Sequence, residues 1–479
     1  MVRIGTIAAL LVVGVSLFMA AGYVNARSDS DKTVVLKGIP HVLQNPDFCG
    51  EACAAMVLQK YGRGLDQDYV FNQSGLDPLS GRGCYTKELA KSLGRIGFDI
   101  GSVWYRVSPK QAKTGLEKQW WILHEDLVTG TPSIVCMHYD ATPKAPEHFR
   151  LIVGYDGERD EVIYHEPAEK RGAYRRMKRL EFIKLWPLKY ETDEWLVVRM
   201  PLLPKRNMSE IIPPASVGHT DADYAQHIMK LKKKLPGDRF TIILQRPFVV
   251  IGDESPSMVK RRAEGTVKWA VDLLKKSYFE KDPNEILDIW LFRDKQSYEE
   301  NAGKIFRCKP HTPYGYFSHT DRALVMNIAT GGGTLVHEIV HPFVASNFPE
   351  CPAWFNEGLG SLYEQSSEKG GKIRGLTNWR LAGLQAAIRA EKVPSFKTLT
   401  STSTHEFYEE DPGTNYAQAR YLCYYLQEHD LLEKFYHSFY AKRKTDPTGY
   451  ETLKEILGRR DMAKFKRDWE SYVLELRFP

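Results

Sequence analysis

The period of the apolar positions changes along the chain, and the changes mark its elements. Between Gly50 and Tyr61, Ala54, Val57, Leu58 and Tyr61 fall at i, i+3, i+4 and i+7, one face of a helix. A second helix is predicted over Thr86–Ile96. A short extended piece, Lys37–Leu43, precedes both. Beyond them the apolar runs shorten. Ser133–Tyr139, Phe149–Gly154, Glu161–His165 and Trp195–Met200 read as strands, separated by turn residues such as Asp156-Gly157. Helices first and an antiparallel sheet afterwards is an α+β order.

Pro201, Pro204, Pro213, Pro214 and Gly218 then interrupt the pattern and predict a joint between two domains. Past it, Thr241–Leu244, Phe248–Ile251 and Ile289–Phe292 read as strands and Met258–Ser277 as a helix; from about Thr334 the chain reads as mostly helix. The expected domains are 33–202 and 236–479, with a linker over 203–235.

A length of 479 residues fits two or three domains. The net charge of +6 is small for that length, and the basic runs, such as Lys232-Lys233-Lys234, are short; no nucleic-acid partner is expected. Seven cysteines are too sparse for a disulfide framework, and an odd number leaves at least one unpaired. Cys308 and Cys351 share a block and could bridge, whereas Cys136 lies in an apolar strand. At the N-terminus, Arg3, the apolar run Ile4–Ala21 and the small residues of Val24-Asn25-Ala26 read as a secretory signal peptide over 1–26. The expected location is extracytoplasmic, whether secreted or periplasmic, with membrane attachment only through an uncleaved N-terminal segment.

Two constellations carry chemistry. His337-Glu338-Ile339-Val340-His341 has the H-E-x-x-H spacing, which puts both histidines on one helix face where they can hold one zinc ion. Glu338 between them can take a proton from the attacking water and pass it to a leaving amine. Further on, Asn356-Glu357-Gly358-Leu359-Gly360 offers a carboxylate that would complete a two-histidine, one-glutamate site with an open position. Pro342 removes one backbone bond, to residue 338, and predicts a kink. This pattern resembles the gluzincin zinc metallopeptidases, and Phe248–Asp253, the 258–277 helix, Ile289–Tyr298 and Asn415–Leu426 resemble the peptidase-MA-like members. The resemblance implies a mostly helical zincin domain with a small sheet, with His337, His341 and Glu357 as zinc ligands and Glu338 as general base. An acidic residue that often follows the third ligand by four positions is replaced here by Ser361; Glu364 lies one turn beyond. Tyr416 and His405 are candidates for stabilising the oxyanion.

The second constellation opens at Gln44-Asn45-Pro46-Asp47-Phe48-Cys49-Gly50. A cysteine at a helix N-terminus feels the positive end of the dipole, which favours thiolate. Gln44 can aim its amide at a developing oxyanion. His148 opens one strand and Glu166 follows the end of the next, which supplies a base and a group to orient it. Glu51 puts a negative charge near the thiol and opposes the dipole. Order and context are similar to the papain-like superfamily, and more narrowly to the peptidase domains that process double-glycine leaders of bacteriocins. Over about residues 38–200 that resemblance implies Cys49 as nucleophile, His148 as base, Glu166 as orienter in place of the usual aspartate, and Gln44 as oxyanion donor.

The expected activity is peptide-bond hydrolysis on a peptide or protein substrate, zinc-dependent in the C-terminal domain and thiol-dependent in the N-terminal one. The alternatives are a cysteine domain that only binds peptide while the zinc domain cuts, or a secreted binding or envelope protein built from two degenerate peptidase folds. The sequence leaves substrate identity and oligomeric state open.

Overall fold

A computed structural model describes residues 32–205 and 218–478. The segment read as a signal peptide lies outside the described residues. No helix among the described residues is long and apolar enough to cross a membrane. The described residues divide into two compact units, one comprising 32–205 with Thr220–Lys230, the other comprising 218–219 and 231–478.

The first unit starts with β1 (Val34–Val35) and three helices, α1 (Cys49–Lys60), α2 (Gln67–Ser74) and α3 (Thr86–Ile96). Then come β2 (Phe98–Asp99), β3 (Trp104–Val107), α4 (Ala112–Val128), β4 (Ser133–His138), β5 (Glu147–Asp156), β6 (Glu161–His165) and β7 (Arg175–Lys178). Helix α5 (Arg179–Leu185), β8 (Trp195–Pro201) and β9 (Leu203–Pro204) close the run. One antiparallel sheet has the order β3-β8-β4-β5-β6-β7, with β1 paired to β5. Helix α1 packs on β4 and β5, and residues Cys53–Leu58 are wholly buried. The predicted α+β order holds. Helix α4 is not among the predicted elements, although its buried Leu116, Trp120, Leu123 and Leu127 stand at i, i+4, i+7 and i+11. The piece read as extended over Lys37–Leu43 forms no strand.

The stretch read as a linker contains a helix, α6 (Asp221–Lys234). Ala222 and Ala225 are fully buried in the core of the first unit, the Ala222 N–H donates to Asn72 Oδ1 at 2.8 Å, and the Gln226 amide donates to the Pro46 carbonyl at 2.9 Å. Tyr224, Ile228 and Leu231 are buried too, at helical spacing, so the helix has a pattern that the flanking prolines and the lysine run obscure.

The second unit holds β10 (Thr241–Gln245), β11 (Phe248–Gly252), α7 (Pro256–Arg262) and α8 (Trp269–Ser277), with a π-helical segment, Ala263–Lys268, between the two helices. Next come β12 (Leu287–Phe292), α9 (Lys295–Phe306), β13 (Gly315–Ser318), β14 (Ala323–Asn327), α10 (Gly333–Asn347) and α11 (Ala353–Leu362). The remainder is the hairpin β15 (Ser366–Lys369) and β16 (Lys372–Gly375), then α12 (Arg380–Arg389), α13 (Phe396–Thr400), α14 (Thr404–Glu409), α15 (Pro412–Glu428), α16 (Leu432–Lys442), α17 (Tyr450–Leu457) and α18 (Met462–Glu475). The sheet order is β10-β11-β12-β14-β13, with parallel pairs at β11–β12 and β12–β14 and antiparallel pairs at both edges. Its three central strands are buried along their whole length. Strand β11 and most of β12 match predicted apolar runs, whereas β13 and β14 are not among the predicted elements. Helix α10 continues through Pro342 to Asn347, and Leu335, Val336, Ile339, Val340 and Phe343 form its buried side.

Candidate functional site

The first cluster forms where α10 meets α11. His337 and His341 stand one turn apart on α10, and Glu357 comes from the first half of α11. Glu357 Oε2 lies 3.2 Å from His337 Nε2 and 3.8 Å from His341 Nε2. One ligand atom from each of the three falls within 4.8 Å of the others. Zinc bonds of 2.0–2.1 Å in a tetrahedron set ligand atoms about 3.3 Å apart, so the three side chains fit one zinc ion. Glu357 Oε2 is buried and faces the two imidazoles, which places it to share a cation with them.

The outer faces of the ligands are also held. His341 Nδ1 is 3.0 Å from Asn356 Oδ1. His337 Nδ1 is 3.2 Å from Glu364 Oε1, and Glu364 in turn receives Arg380 Nε at 3.0 Å, Arg380 Nη2 at 2.9 Å and the Asn378 amide at 3.0 Å. Glu364 therefore sits at the acidic brace left vacant by Ser361. Tyr408, on α14, donates to Glu357 Oε1 at 2.6 Å and occupies the second carboxylate oxygen. A methyl group added to Gly360 would stand 3.2 Å from His341 Cε1 and 3.3 Å from His337 Nε2, so this glycine lets α11 approach both rings. Burial pushes Glu357 upward, but the charges of His341 and His337 and the bonds from His337 and Tyr408 outweigh it and hold the carboxyl at about 2.

Glu338 is half-buried and faces the same cleft, of about 540 Å³, that holds His337, His341 and Glu357. Tyr416 and Tyr408 line this cleft as well; His405 is exposed and does not. Tyr408 was not legible in the sequence. It is separated from Glu357 by α12 and α13 and belongs to no motif.

The second cluster belongs to the first unit. Cys49 is the first residue of α1. Strand β6 pairs with β5 only from Leu151 onward, and beside Phe149 the start of α1 takes its place. The Phe149 N–H faces the Cys49 thiol, and Cys53 Sγ lies 3.8 Å from the Phe149 carbonyl. His148, one residue before Phe149, has Nε2 2.5 Å from Glu166 Oε1. His148 and Glu166 are thus brought together as expected. No hydrogen bond joins His148 to Cys49 among the described residues. Gln44 is tied through its backbone N–H to the Pro167 carbonyl at 2.8 Å, and its side-chain Oε1 is buried without a partner.

Electrostatics around the thiol run against ionisation. Burial pushes Cys49 up to about 12; the Phe149 N–H opposes this, and the nearby Glu51 and Asp47 carboxylates add to it. Glu51 is itself wholly buried, which raises it to about 7 although its Oε1 accepts the Cys84 N–H at 2.7 Å. Cys49, Cys84 and Cys136 line one cleft of about 730 Å³, together with Tyr85, Trp104 and Tyr190. All seven cysteines are free, so Cys308 and Cys351 do not bridge. His165 is fully buried; its ring packs against Tyr174, and His41 bonds the Glu166 carbonyl at 2.8 Å.

Residues 36–192 match the family described as Peptidase_C39 like family. Two solved structures are similar to this part of the chain. One is the peptidase domain of Streptococcus ComA, a bi-functional ABC transporter involved in a quorum sensing pathway. It is 16% identical, with 35% of this chain and 100% of that chain covered and a TM-score of 0.23. The other is a double glycine motif protease from an AMS/PCAT transporter in complex with the leader peptide. It is 20% identical, with 36% of this chain and 99% of that chain covered and a TM-score of 0.22. No curated protein matches the chain in sequence.

Proposed function

We propose that the protein is an exported peptidase whose C-terminal unit has a zincin fold and hydrolyses peptide bonds at a zinc ion held by His337, His341 and Glu357. The observation that carries this reading is the convergence of His337 Nε2, His341 Nε2 and Glu357 Oε2 in a cleft that also contains Glu338. Bound zinc supplies Lewis-acid polarisation of the scissile carbonyl and of the attacking water. Glu338 accepts a proton from that water and returns it to the departing amine. Tyr416 faces the same cleft and is the candidate donor to the developing oxyanion. Elemental analysis of the purified chain tests the metal, and Glu338→Gln tests the base. Full zinc occupancy with cleavage abolished in Glu338→Gln is expected. A metal-free wild type that does not take up added zinc overturns the reading.

A second reading, thiol-dependent cleavage in the N-terminal unit, is favoured by one contact: the 2.5 Å pairing of His148 with Glu166 beside the α1 N-terminus. Cys49 would attack the carbonyl as His148 takes the thiol proton, His148 would pass that proton to the amine as the C–N bond breaks, and water would resolve the acyl-enzyme. Cys49→Ala separates the readings, because cleavage that survives in this variant and vanishes in Glu338→Gln leaves the N-terminal unit a binding role.

A further inference from the structure

The Glu166 carboxylate has two side-chain partners and one backbone donor. Its Oε1 faces His148 Nε2 at 2.5 Å and accepts the Ala168 N–H at 3.1 Å; its Oε2 accepts Arg150 Nε at 2.7 Å. Residues 148 and 150 lie two apart on β5, so both side chains leave the same face of the strand. Arg150 is buried and itself fixed: its guanidinium donates to the carbonyls of His138 at 3.3 Å and Tyr139 at 2.8 Å, and sits between the rings of Tyr139 and Tyr164. A glutamate is one methylene longer than the aspartate usual at this position, and that length lets one carboxylate reach both partners.

We infer that Arg150 is a positioning residue that holds Glu166 against His148 and, through its charge, limits how far that carboxylate favours a protonated imidazole. The inference rests on the reading of Cys49, His148 and Glu166 as a thiol site. The physical argument has two parts. A buried carboxylate clamped at both oxygens keeps one rotamer, so His148 Nε2 always meets the same partner. A carboxylate already paired with a guanidinium presents a nearly neutral pair to the imidazole, and the cation itself opposes imidazolium formation. Other titratable groups facing these residues are Tyr139 at the end of β4, Tyr164 on β6, Glu169 in the turn after Glu166, and Cys49 and Cys53 on α1. Arg175, paired with Glu169, and His41, whose Nε2 meets the Glu166 carbonyl at 2.8 Å, also face this cluster; among the described residues Arg150 is the guanidinium bonded to the Glu166 carboxylate, and so it is the cation that sets this balance.

The test is an NMR titration of His148 in the full chain, with His148→Gln to assign the signal. Arg150→Met keeps the volume and removes the charge, and the His148 midpoint is expected to rise by about one unit, a tenfold change in the protonated-to-neutral ratio. Arg150→Lys keeps the charge but loses the planar fork, and should move the midpoint by less than half as much. Arg150→Gln, which can still bond the two carbonyls, is a second neutral variant should Arg150→Met fail to fold; it is expected to shift as Arg150→Met does. An unchanged midpoint in a folded neutral variant, or equal shifts in the lysine and neutral variants, overturns the inference. The readout needs no turnover. Cleavage that is indifferent to Cys49→Ala would remove the thiol reading, while the titration still decides the role of Arg150.

Discussion

His337 Nε2 lies 3.2 Å from Glu357 Oε2 across the junction of α10 and α11. Removal of either group leaves the other buried without its partner and without a shared cation. His337→Ala and Glu357→Ala are therefore expected to bind less than a tenth of the zinc retained by wild type. Metal content after gel filtration measures this, with circular dichroism to show that the variants are folded.

Tyr408 holds the oxygen of Glu357 that does not face the histidines. Outer contacts of this kind tune metal affinity by about 10- to 100-fold. Tyr408→Phe keeps the ring and loses the 2.6 Å bond, and should weaken zinc binding by about tenfold in a chelator competition.

Glu364 joins His337 to Arg380 and Asn378 in a mostly buried network. Glu364→Ala strands the Arg380 guanidinium and costs about 2–3 kcal/mol, the range for hydrogen bonds to charged groups. Urea unfolding of the metal-free chain reads the loss, and Ser361→Ala, four residues after Glu357, should fall within about 0.5 kcal/mol if Glu364 carries the brace alone.

Cys49 has a thiol raised from 9.0 to about 12. At pH 8 that lowers the thiolate fraction from about 10% to about 0.01%. Alkylation of Cys49, followed by mass spectrometry of its peptide, should accordingly be slower at pH 8 than that of exposed Cys308, and should still be accelerating above pH 10. Equal rates at the two positions would count against a suppressed thiol.

Glu51 is a carboxyl whose folded value, about 7, lies above its ordinary 4.5. In the unfolded chain it ionises first, so its contribution to stability is complete below about 4.5 and declines until the pH passes 7. Glu51→Gln removes that decline. The variant should gain melting temperature relative to wild type at pH 8, and the gain should disappear below about pH 4.5. A difference independent of pH would show that Glu51 is not titrating.

The sequence by itself was sufficient for what depends on neighbours along the chain. The i, i+4 spacing of His337 and His341, the position of Cys49 at a helix start, and the α+β order of the first unit all follow from periodicity and local motifs. Helix α6 escaped that reading although Tyr224, Ile228 and Leu231 are buried at i, i+4 and i+7, because the prolines before it read as a joint; its docking through Asn72 and Pro46, far away in the chain, is tertiary. Tertiary structure alone decided which distant groups complete each cluster. Tyr408 reaches Glu357, Glu364 replaces the brace missing at Ser361, and Arg150 shares Glu166 with His148. It also decided the state of the thiol. A helix dipole argues for thiolate at Cys49, but desolvation and the carboxylates of Glu51 and Asp47 outweigh it, and burial is a property of the packed chain.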